Sequence, residues 1–203
     1  RGGGLFGEVV REAVARVEGC GVSQVFLDGA YGRTVGARPA WSDAVVLSTG
    51  AVVSSSVSEI VKTTWTVAEK LSLPGVEEAW KQALLREAME QGRALLGGPQ
   101  LEVPIPLPAK SALLGLERGA SLLDDQVEAV AEPGLVSDRV VETLLRIRPL
   151  SQGGARTLLV PDGTVLQCKG RLQGRLMRAW EVRVGATTRV VAIAYNPTSP
   201  VGM

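Results

Sequence analysis

Short runs of Val, Leu and Ala, each about a strand long, alternate in this chain with stretches whose apolar residues recur at helical spacing. Residues 43–51 (DAVVLSTGA), 127–132 (VEAVAE), 181–184 (EVRV) and 188–200 (TRVVAIAYNPTSP) read as strands, and 156–168 (RTLLVPDGTVLQC) reads as two strands around a Pro-Asp-Gly-Thr turn. Between them Phe6, Val9, Val10, Ala13, Val14 and Val17 make one helical stripe. A second comprises Val57, Ile60, Val61, Thr64, Trp65, Ala68 and Leu71, with Ser56 and Glu59 at capping-box spacing. A third helix starts near Val76 and runs toward Gly97 and Gly98; a fourth spans 134–147, with Ser137 as its cap; residues 169–180 form a basic helical piece. Strands alternating with helices predict an α/β fold: a largely parallel sheet with helices on both faces. The strands lack strict polar alternation, as strands buried on both faces do.

Four prolines, at 99, 104, 106 and 108, interrupt this pattern. Proline removes a backbone donor, so a helix or central strand is not expected there. The sequence therefore divides into a first α/β half (1–97), a Pro-rich connector (98–110) and a second, smaller α/β half (111–203).

Composition excludes several classes. Lys and Arg number 22 and Asp and Glu 21, a net charge of +1, so no nucleic-acid partner is expected. No apolar run approaches the ~18 residues of a membrane span, and the first residues, RGGGLFGEVV, lack a signal-peptide core. No membrane association and a cytoplasmic location are the expectation. There is no histidine, which removes the commonest general base and metal ligand. Cys20 and Cys168 are too far apart in sequence for a zinc half-site, and both are expected reduced and buried.

The stretch QVFLDGAYGRT (24–34) carries the sharpest functional signal. Residues 24–27 read as a buried strand with Asp28 at its carboxyl end and Gly29 behind it. Ligands of α/β sheets bind just past the carboxyl ends of strands. Asp28 is therefore a candidate Mg²⁺ ligand, and Gly29 admits a phosphate close to the backbone. Ser48, Thr49 and Gly50 end the next strand and are expected to face the same crevice, completing a candidate cofactor site. A simple Asp-Gly turn is the competing reading. Arg33 and Arg38 are available to an anion. No catalytic residue is assigned: there is no G-x-S-x-G, no G-x-x-x-x-G-K-[ST], and Ala109-Lys110-Ser111 follows prolines rather than a glycine loop.

The segments FLDGAYGR, DAVVLSTGAVVSSSVSEIVKTT, GLVSDRVVETLL, TLLVPDGTVL and VVAIAYNPTSPVG resemble the accessory, reactivase-associated subunits encoded beside adenosylcobalamin-dependent lysine 5,6-aminomutase. The resemblance covers roughly 5–71 and 128–202. It implies a P-loop-NTPase-like first half similar to dethiobiotin synthetase, whose acidic-glycine loop looks like residues 28–32. Family members carry a glycine-rich phosphate loop N-terminal to the part seen in this chain. The resemblance thus implies an accessory or reactivation factor for a cobalamin-dependent amino-acid aminomutase, with the aminomutase, a partner ATPase, or both as partners. An oligomer stays open. No cofactor is expected in this chain itself; Mg²⁺ with ATP or GTP is expected if a phosphate loop lies upstream of Arg1. Two alternatives stand beside it: a Mg²⁺-nucleotide enzyme of the dethiobiotin-synthetase kind with that upstream loop, and a non-catalytic interaction module.

Overall fold

The computed structural model describes residues 2–28, 35–109, 112–147, 150 and 154–198. The elements run α1 (Gly2–Glu18), β1 (Val45–Gly50), α2 (Val57–Leu71), α3 (Ala79–Gln91), β2 (Leu95–Gly97), β3 (Ile105–Pro106), α4 (Ala112–Gly119) and β4 (Ala129–Ala131). They continue with β5 (Val136–Ser137), α5 (Asp138–Leu144), β6 (Arg156–Val160), β7 (Leu166–Gln167), α6 (Gly170–Ala179), β8 (Trp180–Val184) and β9 (Val190–Asn196). The protein is α/β, as the alternation requires.

The main sheet has five strands in the order β3-β2-β4-β6-β8. Strands β4, β6 and β8 are parallel, whereas β2 runs antiparallel to both β4 and β3. Alternate residues divide between its two faces. Leu95, Ala129, Ala131 and Leu159 pack with Leu84, Leu85 and Ala88 of α3. Leu96, Val130, Leu158, Val160, Val182 and Val184 join the larger core with Leu116 of α4, Val141 and Leu144 of α5 and Leu176 of α6. Helices thus cover both faces. All five residues of β6 are buried, the polar Arg156 and Thr157 included, which is why its apolar part, Leu158 to Val160, shows no alternation. Each Leu of that strand contributes about 1.5–3 kcal/mol by leaving water.

At the outer strand β8 the α3 face turns polar. Glu181 and Arg183 pair at 2.7 Å, and Lys81 of α3 reaches Glu78 at 2.6 Å and Glu181 at 3.8 Å. The Thr157 hydroxyl also donates to Glu181, at 3.1 Å. These bonds place the Lys81 charge, on a buried side chain, among carboxylates.

The Pro-rich stretch carries structure. β3 closes a hairpin with β2, Leu107 has no exposed surface, and its N–H donates to the Ala94 carbonyl at 3.1 Å. Pro106 stands on the outermost strand, where a missing N–H is tolerated. The hydrophobic core runs without a break across residues 98–109, from α3 and β2 into β4 and β6.

Other local readings differ. Leu95–Gly97, expected as the tail of a helix, is strand β2; α3 stops at Gln91 because Gly92 takes a left-handed conformation, φ 60°. The turn at Pro161, Asp162, Gly163 and Thr164 does not return β6 on itself, because β7 pairs in parallel with β5, in another sheet. Ser56 and Ser137 occupy the N-cap positions of α2 and α5, but neither side chain makes a capping bond.

Candidate functional site

β1 and β9 form a separate parallel pair, with Ser48 opposite Ala194, Thr49 opposite Tyr195 and Gly50 opposite Asn196. Two segments distant in sequence thereby end side by side. Both carboxyl ends open onto one edge, where the chain leaves β1 toward α2 and leaves β9 through Asn196-Pro197. The burial of β1 alternates: Val45, Leu47 and Thr49 are half-buried, while Val46 and Ser48 are exposed. Thr49 is fixed by a 2.7 Å hydrogen bond with the Thr64 hydroxyl, which itself donates to the Ile60 carbonyl at 2.7 Å. Gly50 is required by crowding, since a Cβ there would overlap the Asn196 carbonyl oxygen. The following loop is serine-rich. The Ser56 N–H donates to Ser54 Oγ at 3.1 Å, and the Ser56 and Ser58 hydroxyls pair at 2.9 Å.

The structure therefore brings together Ser48, Thr49 and Gly50 at a strand end, with Asn196 beside them. It does not give Asp28 the setting expected for it. Residues 22–28 form no strand and are exposed throughout, with Phe26 at 90% exposure. An apolar run becomes a strand only where neighbours pair its N–H and C=O groups; among the described residues β1, the neighbour expected for it, pairs only with β9. Asp28 is consequently an exposed residue in irregular chain, not the tip of a central parallel strand. Gly29 and Arg33 lie outside the described residues, as do Lys110 and Ser111.

Strand-end acids do occur, in the main sheet. Glu132 directly follows β4, and Asp162 follows β6 after Pro161. Asp162 is buried and caps a short 3₁₀ turn: Oδ1 accepts from the Thr164 N–H at 2.9 Å and from the Thr164 hydroxyl. Its other oxygen faces Arg38 Nε at 3.6 Å, and Arg38 also donates to Thr164 Oγ1 at 3.2 Å while lying over the Trp41 ring. The anion that Arg38 meets is thus the protein's own. Gly163 is needed because a Cβ would overlap the Lys70 carbonyl at the end of α2.

A cavity of about 310 Å³ lies between α2 and α6, lined by Thr66, Lys70, Cys168, Gly170, Arg171 and Gln173 among others. Desolvation lowers the Lys70 ammonium from its ordinary range, and its Nζ donates to the Leu166 carbonyl at 3.2 Å. Burial, and then the Asp138 carboxylate, raises the Cys168 thiol. Gln173 is buried and donates to the Thr66 carbonyl and to Glu69. Cys168 is half-buried, but Cys20 is exposed, contrary to the expectation that both are buried. Sequence reading missed this group because its members come from two helices far apart in the chain. Among the described residues, no three Cys, Asp or Glu side chains converge as a metal cage would need. No described helix is long and apolar enough to cross a membrane.

None of the family models, curated proteins or solved structures compared with the chain matches it.

Proposed function

We propose that this chain is an accessory factor that acts by protein–protein contact, assisting a partner ATPase in the cytoplasmic reactivation of a cobalamin-dependent amino-acid aminomutase. One observation carries the contact part of this reading: one face of β9 carries an exposed apolar row. Val191, Ile193 and Tyr195, alternate residues of the strand and so on the same face, are each about half exposed, at 49%, 51% and 56%. Single exposed apolar residues are ordinary, but a row of three along one strand face marks an interaction surface. The aminomutase enters through the resemblance described above, whose β1-containing and β9-containing segments are the ones that pair. Reactivation requires conformational work on another protein, and such work draws on surfaces more than on a nucleophile or general base.

The test mixes the chain with an aminomutase inactivated by damaged cobalamin, its ATPase, ATP and fresh adenosylcobalamin. Activity should recover faster with the chain than without it, and Ile193→Asp should remove the gain. Recovery identical with and without the chain, in an assay where the ATPase works, refutes the proposal.

A second reading, a Mg²⁺-nucleotide enzyme of the dethiobiotin-synthetase kind, draws support from the serine-rich loop that leads from Gly50 into α2, whose Ser56 side chain is not used as a cap. It requires a phosphate loop upstream of Arg1. Saturable ATP binding by a longer chain, weakened by Asp28→Asn, would favour it over the accessory role.

A further inference from the structure

At the carboxyl end of β4 lies a cavity of about 270 Å³ lined by Met89, Gly92, Glu132, Pro133 and Gly134. Glu132 is only 5% exposed. Its Oε1 accepts from the Gly134 N–H at 2.8 Å, but its Oε2 is buried with no hydrogen-bond partner. Leaving one oxygen of a buried carboxyl group unpaired forfeits the hydration it had in the unfolded chain. A feature this costly calls for a compensating partner.

The backbone donors of the loop and helix-end residues that line the cavity are already committed. Pro133 has no N–H. The Gly134 N–H serves Oε1, the Glu132 N–H donates to the Leu159 carbonyl at 2.9 Å, and the Gly92 N–H serves the Ala88 and Met89 carbonyls. Acceptors remain. α3 ends at this cavity, and the last carbonyls of a helix carry partial negative charge. No basic residue stands in the last turn of α3, and Arg93, just past it, gives its guanidinium to the Leu107 carbonyl. The cavity wall thus holds a buried glutamate with one unpaired oxygen beside the negative end of a helix, a setting that favours a ligand bringing donors and positive charge.

We propose that this cavity binds a primary ammonium group, with Glu132 as its counter-ion and the carboxyl end of α3 as the second source of attraction. An ammonium supplies three N–H donors in a compact head and matches one carboxylate. A divalent metal ion would want about six oxygens, more than one glutamate offers. Desolvation holds the Glu132 carboxyl above the usual range, against the opposing Gly134 hydrogen bond, and a neighbouring ammonium would offset that penalty by stabilising the ionised form. Gly134 positions the acid, because a Cβ on it would lie 2.9 Å from Oε1.

The experiment titrates the ¹⁵N-labelled chain with n-butylammonium chloride at constant ionic strength. Tetramethylammonium chloride, which has charge but no N–H, and potassium chloride serve as comparisons. The Gly134 and Gly92 amide signals should shift saturably with n-butylammonium and not with the other two salts. Glu132→Gln should weaken the effect about tenfold or more, the loss expected for one charge-assisted hydrogen bond. Met89→Trp, at a half-exposed position on the cavity wall, should block it while leaving the carboxyl group in place. Equal shifts with tetramethylammonium, a response that never saturates, or unchanged binding in either folded variant overturns the proposal.

Discussion

The Asn196 carbonyl oxygen sits directly against Gly50: a Cβ on Gly50 would overlap it, and the Ala51 N–H donates to the same oxygen at 3.2 Å. This backbone contact closes the carboxyl end of the β1–β9 pair. It locks the strand that leads into α2 to the last described strand of the chain.

Gly50→Val should therefore open this pair without unfolding the main sheet. Inserting a branched side chain against backbone costs about 1–3 kcal/mol, and two strands alone are marginally stable. Hydrogen exchange at the amides of β9 should speed up by about tenfold or more, while amides of β6 keep their protection. Unchanged exchange in β9 would mean that Gly50 and Asn196 do not hold the pair together.

Leu107 separates a linker from a structural hairpin. Its side chain has no exposed surface and belongs to the same core as Leu96, Leu116 and Val130. Truncating a buried leucine costs about 2–5 kcal/mol. Leu107→Ala should lower the urea midpoint of the whole cooperative transition. Val103→Ala, at a residue 71% exposed in the same stretch, should leave it within about 0.5 kcal/mol. A harmless Leu107→Ala would instead support 98–110 as a passive connector.

Legibility of the fold followed the strength of local patterns. β1, β6, β8 and β9 were readable because Val- and Leu-rich runs of strand length stood between turn residues, and α2 because its stripe persisted over four turns. β2 was not: Ala94, Leu95 and Leu96 favour a helix, and only pairing with β4 makes them a strand. α1 is a helix as its stripe implies, yet Val9 and Val17 remain 60% and 41% exposed, because periodicity shows a face and not what covers it. Asp28 was expected past a strand end, but its run has no partner strand and forms none. Glu132-Pro133-Gly134 and Pro161-Asp162-Gly163 follow strands that the sheet pairs on both sides. Ser48, Thr49 and Gly50 fell at a strand end as expected, whereas Asn196 joins them only through a pairing no local signal reports.

Glu132 gives a pH dependence with a definite sign. Desolvation, partly opposed by the Gly134 hydrogen bond, raises the folded-state pKa of this carboxyl group above its unfolded value. Between the two values the folded chain binds the proton more tightly than the unfolded chain. Stability therefore falls as pH rises from the ordinary glutamate range up through the raised folded value, by at most about 1.4 kcal/mol per pH unit for one group. Glu181 acts oppositely: the hydrogen bond from Arg183, more than any other influence, holds it low, so its contribution is present at neutral pH and lost on acidification. The difference between wild type and Glu132→Gln separates the two, since Glu181 is common to both. Gln keeps an oxygen for the Gly134 N–H and cannot ionise. Urea midpoints measured from pH 4 to 8 should show the variant gaining on wild type as pH rises and levelling off above the folded pKa. A difference that stays flat across this range would show that Glu132 titrates as an ordinary solvated carboxylate.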